Sequence, residues 1–330
     1  IVIDRYQFKQ DRVGYLDDRR TRLYVFDIDK KDVTLLTPGP YDNSSPVWAP
    51  GGDIIAFTSK RGEDPDRHIN TDIYVIEAKP DAKPRQVTTW VGADSSPVFS
   101  PDGKTIAYLR GGPVKYAWYD SDQIATVSVR GGDERVVNQN YDQYVYSPRW
   151  SRDGKTLYFL VEDDRIRSLA SMAITGGEPE ILYPTRSKPG VANSFEVGAR
   201  GIAALVTFPQ RPAEIYRVED GAALTDHNRE TRDLIEWGSV EAFDATSADG
   251  VAVGSMLRKP PGFRKGKKYP TIFYIHGGPV GQDAFDFDFT AQVLAAQGYL
   301  VVQPNYRGSS GRGREFSRAI YADWGNLEIQ

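Results

Sequence analysis

No cysteine occurs in the 330 residues of the chain. Disulfides, iron–sulfur clusters, thiolate zinc and a cysteine nucleophile are excluded together, and cytoplasm and periplasm both stay open. Histidine is scarce, with three residues. No apolar run approaches the roughly 20 residues that span a bilayer, so no membrane partner is expected. A dominant charge is also missing: 41 basic against 45 acidic residues leave a formal charge of −4, which implies no nucleic-acid partner. With 40% hydrophobic and 26% charged residues the composition is not that of a disordered chain. At roughly 100 to 200 residues per domain, the length predicts two domains.

What is abundant is turn and strand chemistry. Thirty-one glycines, 21 prolines and 19 tyrosines, with many Val, Ile and Thr, fit a turn-rich β protein. The opening Ile1-Val2-Ile3-Asp4-Arg5-Tyr6 reads as a strand rather than a secretory leader, and Ile1 is not an initiator methionine. At the other end, Asp323 to Gln330 stops without a helix cap or polar tail. Both ends read as cuts in a longer chain, with a cytoplasmic or periplasmic location expected.

One phrase recurs three times: Ser45-Pro46-Val47-Trp48-Ala49-Pro50-Gly51-Gly52, Ser96-Pro97-Val98-Phe99-Ser100-Pro101-Asp102-Gly103, and Ser147-Pro148-Arg149-Trp150-Ser151-Arg152-Asp153-Gly154. Pro46, Pro97 and Pro148 are spaced by 51 residues. A period of roughly 40 to 50 residues built from short strands indicates propeller blades. Each copy continues into further strands: Ile54–Thr58, Asp72–Ile76 and Arg85–Thr88; then Ile106–Leu109, Gln123–Val129 and Arg135–Val137; then Leu157–Leu160, Leu169–Ile174 and Glu180–Leu182. Four strands per period make one blade. A degenerate fourth copy runs from Phe195 through Gly201–Val206 and Glu214–Val218 to Leu224-Thr225, and half a blade, Arg22–Ile28 with Val33–Leu36, precedes the first. Trp48, Phe99 and Trp150 are expected in the inter-blade core, because stacked blades bury one side chain at a fixed register. The segments Tyr15 to Arg20 and Arg61 to Arg67 read as loops, solvated or reaching a substrate.

The rhythm stops after Asp226, and residues 237–330 follow a different pattern. Val240–Thr246 and Val251–Leu257 flank a turn, Thr271–Ile275 is a continuous apolar strand, Phe289–Gln297 predicts a helix ended by Gly298, and Leu300–Gln303 is another buried-type strand. Strand, helix, strand predicts a parallel α/β sheet. Between the first strand and the helix lies His276-Gly277-Gly278-Pro279; a glycine pair after a buried strand can aim peptide N–H groups at one spot, as an oxyanion hole requires. After the second strand come Pro304-Asn305-Tyr306-Arg307-Gly308-Ser309-Ser310, a helix from Glu315 to Tyr321, and Asp323-Trp324-Gly325.

These C-terminal motifs together resemble the prolyl oligopeptidase family of serine peptidases, especially its acylaminoacyl-peptidase-like and dipeptidyl-peptidase-like members. The Ser-Pro-x-Trp-Ser-Pro-Asp-Gly repeats are less specific, because they resemble TolB-like binding propellers as well. The resemblance covers essentially the whole chain. It implies a β-propeller, of which about four to five blades of seven are visible in residues 1–236, followed by the N-terminal part of an α/β-hydrolase in residues 237–330. It also implies short-peptide substrates, acyl transfer through a serine, and no cofactor or metal. Gly278, the second glycine of His-Gly-Gly-Pro, is implied as one oxyanion N–H donor. Arg307 is either an organiser of its loop or a capping or salt-bridging arginine.

The departure from the family is the nucleophile. No Gly-x-Ser-x-Gly occurs in the 330 residues. Ser310 has Gly308 two before it but Arg312 two after it, and the segment follows the wrong strand, so Ser309 and Ser310 read as turn residues. His276 belongs to the glycine turn, and His68 and His227 are expected at the propeller surface. The catalytic Ser, Asp and His are therefore expected beyond residue 330, leaving this chain alone inactive. The alternative is a TolB-like propeller that binds or scaffolds, with a relic hydrolase segment. Oligomeric state stays open, a homo-oligomer being compatible.

Overall fold

The computed structural model describes residue 3, residues 5–278 and residues 280–329. Each 51-residue copy forms an antiparallel four-stranded sheet. The first blade is Asn43–Trp48, Ile54–Ser59, Asp72–Glu77 and Arg85–Gln86; the second is Asp94–Phe99, Thr105–Arg110, Gln123–Ser128 and Arg135–Val136. The third is Val145–Trp150, Thr156–Asp163, Ile166–Ala173 and Glu180–Tyr183. A fourth, Val191–Gly198, Gly201–Phe208 and Arg211–Arg217, joins the third through a parallel bridge between Arg167 and Val191. Its expected last strand at Leu224-Thr225 is reduced to a bridge between Tyr216 and Ala223. The half-blade is Tyr24–Asp27 paired with Asp32–Leu35.

Strand alternation explains why the blades stack. In the second strand of the first blade, Ile55 and Phe57 pack toward Leu23 and Leu36 of the half-blade, while Ala56 packs toward Phe99, Ile106 and Tyr108 of the second. The second blade repeats this, with Ala107 and Leu109 facing Leu157 and Phe159 of the third. Both faces of the first three blades are apolar because each lies between two other sheets, and each large aliphatic side chain buried contributes about 1.5–3 kcal/mol. The tight turns are fixed by side chains: Ser100 Oγ donates to Asp102 Oδ1 at 2.6 Å and Lys104 N to the same oxygen at 3.1 Å, with Gly103 at φ +70°. Ser151, Asp153 and Gly154 reproduce it one period later.

Three expectations change. Phe99 is 8% exposed in the inter-blade core and Trp150 is half-buried, its Nε1 donating to Val98 O at 3.1 Å on the preceding blade. Trp48 instead is 49% exposed. Its neighbour is the half-blade, whose two strands include no innermost strand for Trp48 to lean on. Ile1, Val2 and Asp4 of the expected opening strand lie outside the described residues, and Ile3, Arg5 and Tyr6 belong to no strand; the first pairing is Lys9–Gln10 with Gly14–Tyr15. The α/β sheet is mixed rather than parallel. The hairpin Ser239–Thr246/Ala252–Lys259 adds its second strand antiparallel to Leu300–Pro304, and Leu300–Pro304 pairs in parallel with Thr271–Phe273. The strand–helix–strand pattern dictates only that last pair.

Local chemistry accounts for the helices. Asp288 Oδ1 accepts from Ala291 N at 2.9 Å to cap Phe289–Ala296, and Gly298 at φ +92° follows its end. The helix expected over 315–321 begins earlier, as Gly313–Arg318. Strand Thr271–Phe273 ends two residues before its apolar run does, although Tyr274 N still donates to Val302 O at 2.8 Å.

The hydrolase portion is anchored on the propeller by the turn between the second and third strands of the third blade. Asp164 and Arg165 both hold positive φ, 37° and 72°. Arg165 is buried, and its Nη1 donates to Phe243 O at 3.0 Å and Ser255 O at 3.2 Å and pairs with Asp244 at 3.1 Å. Its main chain accepts from Phe285 N at 2.8 Å. A second tie runs from the buried Asp120 to Arg314, at 3.1 Å, and to Arg318.

Candidate active site

The glycine turn sits where the Thr271–Phe273 strand ends. Gly277 and Gly278 are exposed, and neither N–H has a hydrogen-bond acceptor among the described residues. Gly278 has φ +144°, and a Cβ there would lie 2.8 Å from Val280 N and 2.9 Å from Val280 O. Only glycine fits. Pro279, the last residue of the motif, lies outside the described residues.

The residue before the turn is held from the next strand. The His276 ring stacks on Tyr306 with centroids 4.7 Å apart, and Tyr306 OH donates to His276 O at 2.7 Å. His276 Nε2 meets Ser309 Oγ at 3.0 Å while Nδ1 lies 3.0 Å from Gly277 O. Both contacts are satisfied when Nδ1 carries the proton and Nε2 accepts from the serine. Burial pulls the His276 pKa below its ordinary value, which favours that neutral ring. The pair imitates a serine–histidine dyad, but Ser309 is 0% exposed, so no substrate carbonyl reaches its oxygen. Ser310 is equally buried and donates to Glu162 on the third blade. Both serines are more than turn residues: one locks the histidine, the other crosses to the propeller.

Beyond the turn the chain is stapled down. Ser310 N donates to Gly281 O at 2.9 Å, Gln282 accepts from Arg165 N at 2.8 Å, and Asn305 Oδ1 accepts from Asp283 N at 2.7 Å. Burial, with Asp286 and Asp288 nearby, raises the Asp283 carboxyl to about 7. Arg307 settles its two alternatives by doing both jobs. It is buried, pairs with Asp249 of the hairpin turn and donates to Leu327 O at 3.1 Å. That contact holds Asp249 well below the usual carboxylate range.

The remaining histidines and loops lie apart from this turn. His227 is exposed, whereas His68 is half-buried with an unpartnered Nδ1, a departure from the surface position expected. Close by in sequence, Asp66 pairs with Arg5 of the N-terminal segment at 2.7 Å. Asp17 pairs with Arg19, and Arg61 is half-buried over the rings of Tyr41 and Tyr74. Sequence reasoning missed Tyr306, Glu162, Gln282 and Asp249. Tyr306 was signalled by its place in Pro-Asn-Tyr-Arg; the others act across separations of up to 148 residues.

Comparison with known proteins decides the lineage. A profile of the TolB beta propeller domain matches residues 13–194, and one of the prolyl oligopeptidase family matches residues 285–330. The chain belongs to the prolyl oligopeptidase family. A probable dipeptidyl-peptidase 5 of Arthroderma benhamiae is 32% identical over 315 residues, covering 87% of this chain and 41% of that protein. Dipeptidyl-peptidase 5 of Porphyromonas gingivalis is 29% identical over 293 residues, covering 86% and 42%. The solved acylaminoacyl peptidase of Pyrococcus horikoshii superposes with a TM-score of 0.81 at 23% identity, over all of this chain and 50% of its own. That similarity establishes the fold, a propeller followed by the start of an α/β-hydrolase. The chain thus spans about two-fifths of the curated prolyl oligopeptidase relatives it matches, and these relatives are peptidases.

Proposed function

We propose that the chain is part of a serine peptidase that hydrolyses short peptides, with its nucleophilic Ser, Asp and His beyond residue 330, and that this chain alone is inactive. The observation that carries this reading is the exposed Gly277-Gly278 pair, whose N–H groups have no acceptor among the described residues and whose preceding residue His276 is held by Tyr306, on a chain whose relatives are peptidases. In this mechanism a serine Oγ attacks the scissile carbonyl while histidine takes its proton. The Gly278 N–H donates to the oxygen as it becomes an oxyanion; the intermediate collapses with cleavage of the C–N bond, the histidine passing its proton to the departing amine, and water activated by the same histidine then releases the acyl group from the serine ester. Losing one such donor costs about 3–4 kcal/mol of transition-state stabilisation. No step calls on a cofactor. The propeller, proposed to end near residue 236, restricts access to short peptides by covering the cleft.

A second reading, a TolB-like binding or scaffold propeller with a relic hydrolase segment, is favoured by the absence of Gly-x-Ser-x-Gly from the 330 residues and by the burial of Ser309 and Ser310. The coding sequence past Gln330 separates the two. The peptidase reading expects Gly-x-Ser-x-Gly within roughly 20 to 40 residues, allowing one helix and one strand before the elbow. An open frame that continues as a hydrolase without that serine gives the case to the binding reading.

A further inference from the structure

A cavity of about 660 Å³ opens between the N-terminal segment and the loops of the first two blades, lined among others by Phe8, Lys60, Asp66, His68 and Trp118. It lies on the propeller face that carries the hydrolase portion. The loop holding Trp118 is the one whose Tyr116 and Tyr119 pack edge-on against Tyr321, and whose Asp120 pairs with Arg314 and Arg318.

The charges within it do not balance. Asp66 is the only carboxylate in the lining among the described residues and is already engaged: Arg5 Nε and Nη2 donate to it at 3.0 and 2.7 Å and Gln7 N at 3.2 Å. Arg67 is likewise paired, with Asp64 at 2.7 Å. Lys60 is half-buried and forms no salt bridge among the described residues. Burial pulls its ammonium below the ordinary lysine value against a smaller upward pull from Asp66. His68 Nδ1 is a buried polar atom without a partner among the described residues. Beside these groups Trp118 is 76% exposed, a large apolar surface next to an unmatched cation. Lys60, with the exposed Lys9 at the rim and neither in a salt bridge among the described residues, lies on a lining that also presents Phe8, Ile69 and Trp118, which fits an anion that carries its own apolar group.

We propose that this cavity binds the free C-terminal carboxylate of a short peptide, with Lys60 as the ion-pair partner and Trp118 and Phe8 against the apolar C-terminal side chain. The assignment rests on the reading that the protein handles short peptides. It makes Lys60 a determinant of substrate choice, and it requires no reacting group.

The test measures binding to the 330-residue chain by calorimetry, using N-acetyl-Ala-Ala-Leu and the same tripeptide with an amidated C-terminus. The acid is expected to bind about tenfold more tightly than the amide, the size of one charge-assisted hydrogen bond in a half-buried site. Lys60→Gln should bring that ratio to about one with an unchanged thermal midpoint, Lys60→Arg should keep most of the preference, and Trp118→Ala should weaken acid and amide alike. Equal binding of acid and amide to the unsubstituted chain, or a preference that survives Lys60→Gln, overturns the assignment. Because binding is read without turnover, a carboxylate preference in a protein whose full-length form takes no serine label removes the peptidase reading and leaves the cavity assignment standing.

Discussion

Asp94 is fully buried at the start of an innermost strand, with neither carboxylate oxygen hydrogen-bonded among the described residues. Burial, with Glu134 and Asp72 adding repulsion against Thr88 and Arg110, raises its carboxyl to about 8. A folded-state value above the unfolded one means the native protein holds a proton that the unfolded chain releases, so stability falls as pH rises from about 4 to about 8. Asp94→Asn removes that dependence. Its stability advantage over the unsubstituted chain should widen between pH 5 and pH 8, by at most about 1.4 kcal/mol per pH unit, in denaturant melts across that range; a constant difference contradicts the buried-acid account. At the proposed oxyanion turn, Tyr306→Phe deletes only the donor to His276 O. In the full-length product, on the proposed peptidase reading, it should lower kcat several-fold with KM little changed and the fold intact, as steady-state kinetics would show; a change in KM alone would assign Tyr306 to substrate binding.

The blades were legible because their turns are chemical, not statistical. In the second and third blades Ser-x-Asp-Gly sets two hydrogen bonds and one positive φ at a fixed register 51 residues apart, and the first blade keeps the positive φ at Gly52. Trp48 was not legible, because its burial depends on a neighbouring strand that no residue near it in sequence reports. The contrast gives a paired prediction. Phe99→Ala should cost about 3–5 kcal/mol, as a buried aromatic does, and Trp48→Ala at the equivalent position about 1 kcal/mol or less, both from chemical denaturation. The anchoring turn was invisible for another reason: Asp164-Arg165 looks like any polar hairpin tip, and its acceptors Phe243 O and Ser255 O lie 78 and 90 residues away. Arg165→Ala should weaken docking by about 2–4 kcal/mol and split one unfolding transition into two, measured by calorimetry. A single unshifted transition would show that the turn is not the anchor.

At the scale of the molecule, the propeller and the first strands of the hydrolase sheet interlock through Asp120, Glu162 and Arg165, so the glycine turn is positioned by both. His276-Gly277-Gly278 and Pro304-Asn305-Tyr306-Arg307 made the family legible because both follow apolar runs and carry their own backbone constraints, although Thr271–Phe273 is largely exposed and only Leu300–Pro304 is buried. The roles of Ser309 and Ser310 were hidden, since sequence separates a turn serine from an interface serine only once the partner's position is known. In the proposed chemistry the chain supplies a donor site and a wall, and the nucleophile is proposed to lie beyond residue 330. The most direct measurement is therefore fluorophosphonate labelling of the full-length gene product, followed by mass spectrometry of the modified peptide. The account predicts one covalent adduct, on the serine of a Gly-x-Ser-x-Gly elbow C-terminal to Gln330, and none on Ser309 or Ser310. A folded full-length protein that takes no adduct, or takes it within residues 1–330, would contradict it.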